Sequence, residues 1–166
     1  GSVTHLQNTV KAVEQAGIHV NDRVLSAVAS SQALLTDSEK NLGVAVVDVG
    51  AGVMDVIIYI EGGVASTATI CIGGQHLTQD ISIGLKTPME SAAMLKKRHG
   101  LGIAEESDPS ELIEVPSVGD RPPRTIPLRE LAEIMEARLK EILELVDHEL
   151  IKSGRKFRSD WTTCGF

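Results

Sequence analysis

The chain alternates between stretches with helical spacing of apolar residues and short, nearly continuous apolar runs. Apolar residues recur every three or four positions in residues 4–16 and, over a longer stretch, in residues 127–152. Such spacing gathers apolar side chains on one face, so both stretches predict amphipathic helices. Residues 77–85 and 88–98 carry the same signature on a smaller scale, with a proline and a glycine as boundary signals, and predict two further helices.

Three apolar runs in the middle of the chain are too short for helices and are separated by glycine-containing turns. They cover residues 43–49, 53–60 and 64–72, with turns at 50–52 and 62–63. This pattern predicts an antiparallel three-stranded meander that packs on the helix after it and on the end of the last helix. The almost uniformly apolar first run predicts a strand covered on both faces, and the serines and threonines of the third run predict a half-exposed edge strand.

The remaining segments have weaker patterns. Residues 23–29 are rich in Val, Leu and Ala and predict a short buried strand, followed by a helical run at 32–35 that Ser30 and Ser31 would cap. The polar residues 36–41 predict a connection between structural units. Periodicity fades over residues 101–125, which predicts an ordered loop with one short strand at 112–115.

Composition narrows the classes of function. The 166 residues are 42% hydrophobic and 23% charged, which is typical of a folded domain. A net charge of -7 argues against nucleic acid as a partner, and an aromatic fraction of 2% leaves almost no stacking platforms for bases. Cys71 and Cys164 lie far apart, and the five histidines lack zinc-site spacing, so free thiols are expected. No stretch approaches the length of a membrane span.

The glycine-rich segment at residues 48–55 is the most specific local signal for chemistry. Glycines at a hairpin bend leave backbone N–H groups uncovered, so these groups can point together at phosphate oxygens. Asp48, at the end of the first strand, could hold a magnesium ion through water. The same segment fits a surface turn with one exposed aspartate, and on its own it does not separate these interpretations.

Four motifs occur in a fixed order along the chain. They are VDVGAGVMD at 47–55, GGQHLTQDI at 73–81, KKRHG at 96–100 and EVPSVGDRPPR at 114–124. Together they resemble the FtsA family of bacterial cell-division proteins, and the resemblance extends over residues 5–152. The last motif is shared neither with actin nor with chaperone ATPases or sugar kinases, which makes the resemblance specific to FtsA.

The resemblance implies an α/β fold, namely an actin-like (ribonuclease H-like) ATPase lobe with a smaller inserted α+β subdomain. Residues 3–42 would end the first actin-like lobe. Residues 43–85 and 147–166 would form the β-sheet subdomain of the second lobe, and residues 86–146 the small upper subdomain. The chain would then be a fragment that lacks the N-terminal phosphate loop, a later adenosine-binding glycine motif and a membrane helix.

The resemblance also implies partners and a location. FtsA proteins bind ATP and magnesium between the lobes, self-associate into actin-like filaments, and bind the C-terminal peptide of FtsZ. They tether the division ring to the membrane through a C-terminal amphipathic helix. This predicts a cytoplasmic location at the inner face of the cell membrane at the division site, with ATP and magnesium in the full-length parent and neither in this fragment. Nucleic acid is not expected as a partner, and the membrane is expected only through the absent helix.

Nucleotide contacts are assigned by the resemblance to one set of residues. The set is Asp48, Gly50, Ala51, Gly52, Val53, Gly73, Gly74 and Lys96, with Asp48 also as the magnesium residue. Val53 stands where the family has a threonine hydroxyl, and Ala93 stands where an acidic residue precedes the lysine by three positions. Both changes remove polar groups that would face nucleotide, so phosphate binding is expected to be weak. Lys96 equally fits a solvated lysine at a helix C-terminus.

Partner binding is assigned by the resemblance to Arg138 and Glu141 on the long helix, with Arg124 in the loop close by. A peptide that offers a carboxylate and backbone N–H groups could use the arginine as a forked donor and the glutamate as an acceptor. By spacing alone, the two residues are an exposed intrahelical pair. The leading hypothesis is a division scaffold that binds the FtsZ tail. The alternatives are a lobe of an active ATPase and a lobe of a sugar or acetate kinase.

Overall fold

The computed structural model describes residues 3–119 and 121–153. In chain order the elements are α1 (Val3–Gln15), α2 (Ser26–Leu34), α3 (Asp37–Leu42), β1 (Val44–Val49), β2 (Met54–Ile60), β3 (Gly63–Ile70), α4 (Gly74–Gly84), α5 (Met89–His99), β4 (Leu112–Val115), β5 (Arg124–Pro127) and α6 (Leu128–Lys152). A single 3-10 turn at Ala104–Glu106 separates α5 from β4. Cys164 and the last part of the predicted β-sheet subdomain lie outside the described residues, and the proposed three-part division stays a prediction.

The predicted meander is confirmed. Strands β1, β2 and β3 form an antiparallel sheet in that order, with Val49 opposite Met54 across the glycine turn. Strand β3 lies at an edge and alternates between exposed and half-buried residues, as its hydroxyl residues predicted. The expectation that β1 is covered on both faces is confirmed: Ala45 and Val47 pack against the main apolar cluster, and Val44 packs on the opposite face against the cluster beneath α2. The cover is incomplete, because only Val46 is fully buried in this edge strand.

The core is built around β2, whose side chains alternate between two apolar layers. Met54, Val56 and Ile58 face a large cluster that includes α4 and the second half of α6. The side chains that α4 and the second half of α6 contribute to this cluster are Leu77, Ile81, Ile142, Val146 and Leu150, together with Leu85 at the end of α4. The opposite layer contains Ile57 and Tyr59 beneath α2. Both predicted helix contacts of the sheet are therefore confirmed.

The strand predicted at residues 23–29 is wrong, because residues 26–29 begin α2 and residues 23–25 lead into it without forming a strand. Ala27 and Ser31, four residues apart, are 1% and 0% exposed against the sheet, while Val24 and Leu25 remain exposed. Burial at an i, i+4 spacing selects a helix, and alanine has the highest helix propensity. The Ser31 hydroxyl also lies 2.5 Å from the Tyr59 hydroxyl, which fixes α2 on the sheet.

The connection predicted at residues 36–41 is also wrong, because most of it forms the short helix α3. Thr36 precedes the helix, and its hydroxyl accepts a hydrogen bond from the Glu39 backbone N–H at 3.3 Å. The Glu39 carboxylate accepts in return from the Thr36 backbone N–H at 2.7 Å. This reciprocal capping box satisfies two helix-end donors and has the recognisable sequence pattern Thr-x-x-Glu.

The capping box predicts that Glu39 stabilises the fold in a pH-dependent way. Hydrogen bonds from the Thr36 backbone and hydroxyl lower the pKa of Glu39 below its usual 4.5. A carboxylate whose pKa is depressed in the folded chain stabilises the fold above its unfolded pKa, and this contribution is lost as the pH falls through the folded pKa. We expect Glu39→Ala to lower the melting temperature at neutral pH, with the difference shrinking below about pH 4. Circular dichroism melts of both proteins across this range would contradict the expectation if the difference were independent of pH.

The predicted strand at 112–115 is confirmed as β4. It pairs with a second strand, β5, in a segment that was not predicted as a strand. Strand β5 pairs with β4 antiparallel, with Ile113 opposite Ile126 and Val115 opposite Arg124. Ile113, Val115 and Ile126 are buried in the main cluster. Strand β5 could not be predicted, because it has only four residues and one buried side chain. A segment this short does not show a clear alternation of apolar and polar residues.

Candidate functional site

The glycine hairpin between β1 and β2 is bonded directly to the N-terminus of α4. The Gly50 N–H closes the hairpin on the Val53 carbonyl at 2.9 Å. The carbonyls of Gly50 and Ala51 accept hydrogen bonds from the backbone N–H groups of Gly74 and Gln75 at 3.0 and 2.8 Å. The first N–H groups of α4 are thus used inside the protein, and the anion-binding capacity of this region rests on the hairpin's own N–H groups.

Close approach explains why glycine stands at position 73. A Cβ added to Gly73 would lie 2.4 Å from the Gly50 carbonyl oxygen and 2.7 Å from that of Ala51. Around Gly52, by contrast, no atom lies within 4 Å of such a Cβ, so this side of the turn is open. Within residues 3–119 and 121–153, the N–H groups of Ala51 and Gly52 have no hydrogen-bond acceptor. The turn therefore has two backbone donors that no described acceptor uses.

A groove of about 400 Å³ lies between this hairpin, the start of α4 and one face of α5. Its lining includes Ala51, Gly74, Thr78, Glu90, Ala93 and Lys96, and we call it the hairpin groove. Lys96 is half-buried, and its ammonium donates to the Gly74 carbonyl at 2.7 Å. Burial lowers the pKa of Lys96, and the nearby charge of Lys97 lowers it further. Lys96 is therefore a cation held at the groove and not a freely solvated helix-end lysine.

The two departures from the family pattern have visible consequences, one at the hairpin and one in the hairpin groove. Val53 is 47% exposed and presents methyl groups where a hydroxyl was expected. Ala93 lines the groove without a carboxylate, and the acidic residue that does line it is the exposed Glu90, one turn earlier on α5. The hairpin and its groove thus keep a cation and backbone donors but lack two of the polar groups that a nucleotide would use.

A hydrogen bond from a residue of α2 holds the Asp48 side chain in place. One of its carboxylate oxygens accepts a hydrogen bond from the Ser30 hydroxyl at 3.1 Å. Its cross-strand partner Asp55 accepts from the hydroxyls of Thr69 at 2.6 Å and Ser26 at 3.4 Å. No group of three His, Cys, Asp or Glu residues in the described part of the chain could hold a metal ion. A single carboxylate with water ligands is a mode that magnesium accepts, and Asp48 fits only that mode.

A second candidate site lies where α6 crosses α4. The Arg138 guanidinium donates from Nε and Nη2 to the two carboxylate oxygens of Asp80, at 2.5 and 2.8 Å. Its Nη1 also donates to the Glu141 carboxylate. The predicted intrahelical pair is thus part of a three-residue cluster that links two helices. Sequence reasoning missed Asp80, because a contact across 58 residues leaves no local signal.

The cluster borders a groove of about 370 Å³ lined by Asp80, Ile134, Ala137, Arg138 and Glu141, which we call the ion-pair groove. The side chains of Arg138 and Asp80 are 23% and 26% exposed, and that of Glu141 is 50% exposed. The hydrogen bonds with Asp80 raise the pKa of Arg138 even further above neutrality, so the guanidinium stays charged. The fork that the sequence assigned to a peptide carboxylate is already occupied by Asp80.

Arg124 contacts the other end of α4. Its guanidinium donates to the carbonyl of Leu85, the residue that ends the helix, where a cation is favourable. Asp80 and Leu85 are five residues apart on one helix, a rise of about 7.5 Å. The structure thus brings Arg124, Arg138 and Glu141 to the region around α4 without a direct contact between Arg124 and the other two.

Solved structures with a similar fold are actin-like proteins. MreB5 of Spiroplasma citri bound to AMPPNP superposes with a TM-score of 0.71 at 19% identity, and covers 91% of this chain and 48% of that chain. The ethanolamine utilization protein EutJ from Carboxydothermus hydrogenoformans gives a TM-score of 0.61 at 21% identity, with 96% of this chain and 46% of that chain covered. These likenesses show the fold, which is the predicted actin-like α/β lobe.

Sequence comparison gives the family. The family model described as "Cell division protein FtsA" matches residues 45–161. FtsA of Pseudomonas aeruginosa is 42% identical over 153 residues, and FtsA of Bacillus subtilis is 42% identical over 154 residues. These matches cover 92% and 93% of this chain, which spans 37% and 35% of the length of the two relatives. With a family match over most of its length and the predicted motifs on an actin-like fold, the chain belongs to the FtsA family of cell-division proteins.

Proposed function

We propose that this chain is part of an actin-like scaffold that binds the C-terminal tail of FtsZ and helps to tether the division ring to the inner membrane. A role in cell division follows from the family. Binding of the FtsZ tail is supported by one observation, namely a groove that the charged cluster of Asp80, Arg138 and Glu141 lines together with two apolar residues. Family membership also favours this scaffold over a lobe of a sugar or acetate kinase.

The ion-pair groove has the parts that recognition of a short peptide needs. An extended or helical peptide requires a helix face, an apolar depression for one or two side chains and a few charged anchors that set its register. Ile134 and Ala137 supply the apolar lining, and Glu141 supplies a half-exposed charge at the rim. Because Asp80 and Arg138 hold each other in place, little ordering is required of the groove when a peptide binds.

The test is a binding titration. A fluorescently labelled FtsZ C-terminal peptide is titrated with the 166-residue chain, and its anisotropy is followed. We expect saturable binding with a dissociation constant in the micromolar range, about 7 to 8 kcal/mol of binding free energy. A scrambled peptide of the same composition is the control. Equal binding of both peptides, or no saturation at about 1 mM protein, would contradict the proposal.

Membrane attachment and assembly belong to the same proposal. The scaffold would lie in the cytoplasm at the inner face of the cell membrane at the division site. Its membrane contact would be made by a C-terminal amphipathic helix, and its filaments would form by association of further copies. Among the described residues, no helix has the length and apolar character needed to cross a membrane.

We further propose that the hairpin groove contributes to binding of ATP and magnesium in the full-length parent. The free N–H groups of Ala51 and Gly52, together with Lys96, would hold phosphate oxygens, and Asp48 would hold magnesium through water. The close packing of Gly73 and Gly74 on the hairpin would keep these donors in position. ATP supplies the terminal phosphoryl group for hydrolysis when it is bound. The solved MreB5 structures of Spiroplasma citri, one with AMPPNP and one with ADP, carry nucleotide on the same fold.

The 166-residue chain alone is expected to bind ATP negligibly, with a dissociation constant weaker than about 1 mM. Phosphate cradles need several donors that converge on the ligand, and Val53 and Ala93 each remove one polar contact. Isothermal titration calorimetry with magnesium-ATP checks this expectation. A micromolar dissociation constant would show that the hairpin groove is sufficient for nucleotide binding without the rest of the parent.

A further inference from the structure

We propose that Lys96 in the hairpin groove is an acylation site for a small acyl phosphate, whose phosphate group binds to the unused N–H groups of Ala51 and Gly52. Acylation replaces the ammonium by a neutral amide, so the groove loses its cation. The inference rests on the phosphate-binding part of the proposed function, and it adds a covalent reaction at the same groove.

The first reason is that the acceptor which holds Lys96 suits both protonation states of its side chain. Nζ donates to the Gly74 carbonyl at 2.7 Å, and among the described residues it has no carboxylate partner. A carboxylate would favour the ammonium, whereas a neutral carbonyl also accepts from an amine and leaves the nitrogen lone pair unengaged. Partial burial acts in the same direction, because it lowers the pKa of Lys96 and so increases the nucleophilic, unprotonated fraction.

The second reason is that the amine lies close to the hairpin. A Cβ placed on Gly74 would be 3.6 Å from Lys96 Nζ and 3.9 Å from the Gly50 carbonyl oxygen, so the amine and the hairpin are neighbours across one residue. Ala51 and Lys96 line the same groove of about 400 Å³. A phosphate bound to the N–H groups of Ala51 and Gly52 would therefore hold its acyl group near the amine, and such proximity accelerates acyl transfer.

The reaction needs no further reagent. The unprotonated amine of Lys96 attacks the acyl carbon, a C–N bond forms, and the bond between the acyl carbon and the phosphate oxygen breaks. Inorganic phosphate leaves with that electron pair and takes up the proton that the nitrogen loses. Because the amide carries no charge, the acylated groove should hold phosphate oxygens less well than the unmodified groove.

Lys97 is a matched control within the same chain. It is the next residue on α5, but it is exposed and does not line the hairpin groove. The chain is incubated with acetyl phosphate and digested with a protease that cleaves after glutamate, so that one peptide, residues 91–105, contains both lysines. Fragmentation of this peptide in a mass spectrometer measures acetylation at each lysine separately. A parallel reaction uses the N-hydroxysuccinimide ester of acetic acid, which transfers the same acetyl group without a phosphate.

With acetyl phosphate, we expect Lys96 to be acetylated about tenfold faster than Lys97. A large excess of inorganic phosphate should remove most of this preference, and the phosphate-free ester should not show it. Equal rates at the two lysines, or the same preference with both reagents, would overturn the inference.

A second measurement separates this inference from the phosphate site on which it rests. Inorganic phosphate is titrated into the isotope-labelled chain, and the amide resonances of Ala51 and Gly52 are followed by nuclear magnetic resonance. Shifts of these amides together with selective acetylation of Lys96 are the expected result. Shifts without selective acetylation would overturn the acylation site and leave phosphate binding at the hairpin standing, whereas the absence of both would overturn both.

Discussion

Replacing Gly73 with alanine is expected to destabilise the fold by about 3 kcal/mol or more. The new Cβ would lie 2.4 and 2.7 Å from two carbonyl oxygens of the hairpin, and backbone atoms cannot move aside as a flexible side chain can. Separation of the two segments would also break the hydrogen bonds from Gly74 and Gln75 to the hairpin. For a domain of this size, the melting temperature should fall by about 6 to 12 °C.

Gly52→Ala is the matched control for this prediction. It makes the same substitution in the turn of the hairpin itself, where a Cβ meets no atom within 4 Å. Because the φ angle of Gly52 does not lie in the left-handed region, the alanine should also cause no backbone strain. Thermal melts should show Gly52→Ala within about 2 °C of wild type. Equal melting temperatures for both variants would show that the hairpin does not pack on α4 as described.

Replacing Arg138 with glutamine is expected to lower the melting temperature by about 4 to 8 °C. The variant loses the two-point contact that links α6 to α4 and leaves the partly buried Asp80 carboxylate without its partner. A hydrogen bond to a charged group contributes about 1.5 to 3 kcal/mol to the free energy of unfolding. Removal of one partner of a partly buried ion pair costs more stability than removal of both, because the remaining charge is left without a partner. Differential scanning calorimetry at neutral pH measures the effect.

The control on the same helix is Arg129→Gln, because Arg129 forms an exposed pair with Glu133 one turn away. Exposed pairs of this kind contribute about 0.5 kcal/mol or less, so the melting temperature should change by less than about 2 °C. The double variant of Arg138→Gln and Asp80→Asn should be more stable than the sum of the two single effects predicts. Strict additivity would mean that the two side chains do not interact in solution.

The parts of the fold that could be predicted from sequence are those with local signals. The meander follows from the length of three apolar runs and from the glycines between them, and α6 follows from a long apolar repeat. Helix α3 also has a local signal, the capping box of Thr36 and Glu39. The segment was nevertheless predicted as a connection, because its residues are polar. Helix α2 was mistaken for a strand because alanine and valine alone do not separate a short buried helix from a short buried strand.

The candidate sites could be predicted only as single residues. Arg138 and Glu141 were identified through the family pattern, but their link to Asp80 depends on how α6 crosses α4. Lys96 was identified as a residue, while its bond to the Gly74 carbonyl depends on the packing of α5 against the hairpin. These contacts join residues 22 and 58 positions apart, and no spacing rule along the chain predicts them. The electrostatic character of the ion-pair groove therefore becomes visible only in the folded chain.

The most direct test of FtsZ-tail binding at the ion-pair groove is a nuclear magnetic resonance titration of the isotope-labelled chain with an unlabelled FtsZ C-terminal peptide. We expect the largest shifts on the Arg138 Nε–H resonance and on backbone amides of Asp80 and of residues 134–141. The amides of Ala51 and Gly74, at the hairpin groove, should change little and serve as the internal control. Shifts centred on the hairpin groove, or a spectrum that the peptide leaves unchanged, would contradict binding of the tail at the ion-pair groove.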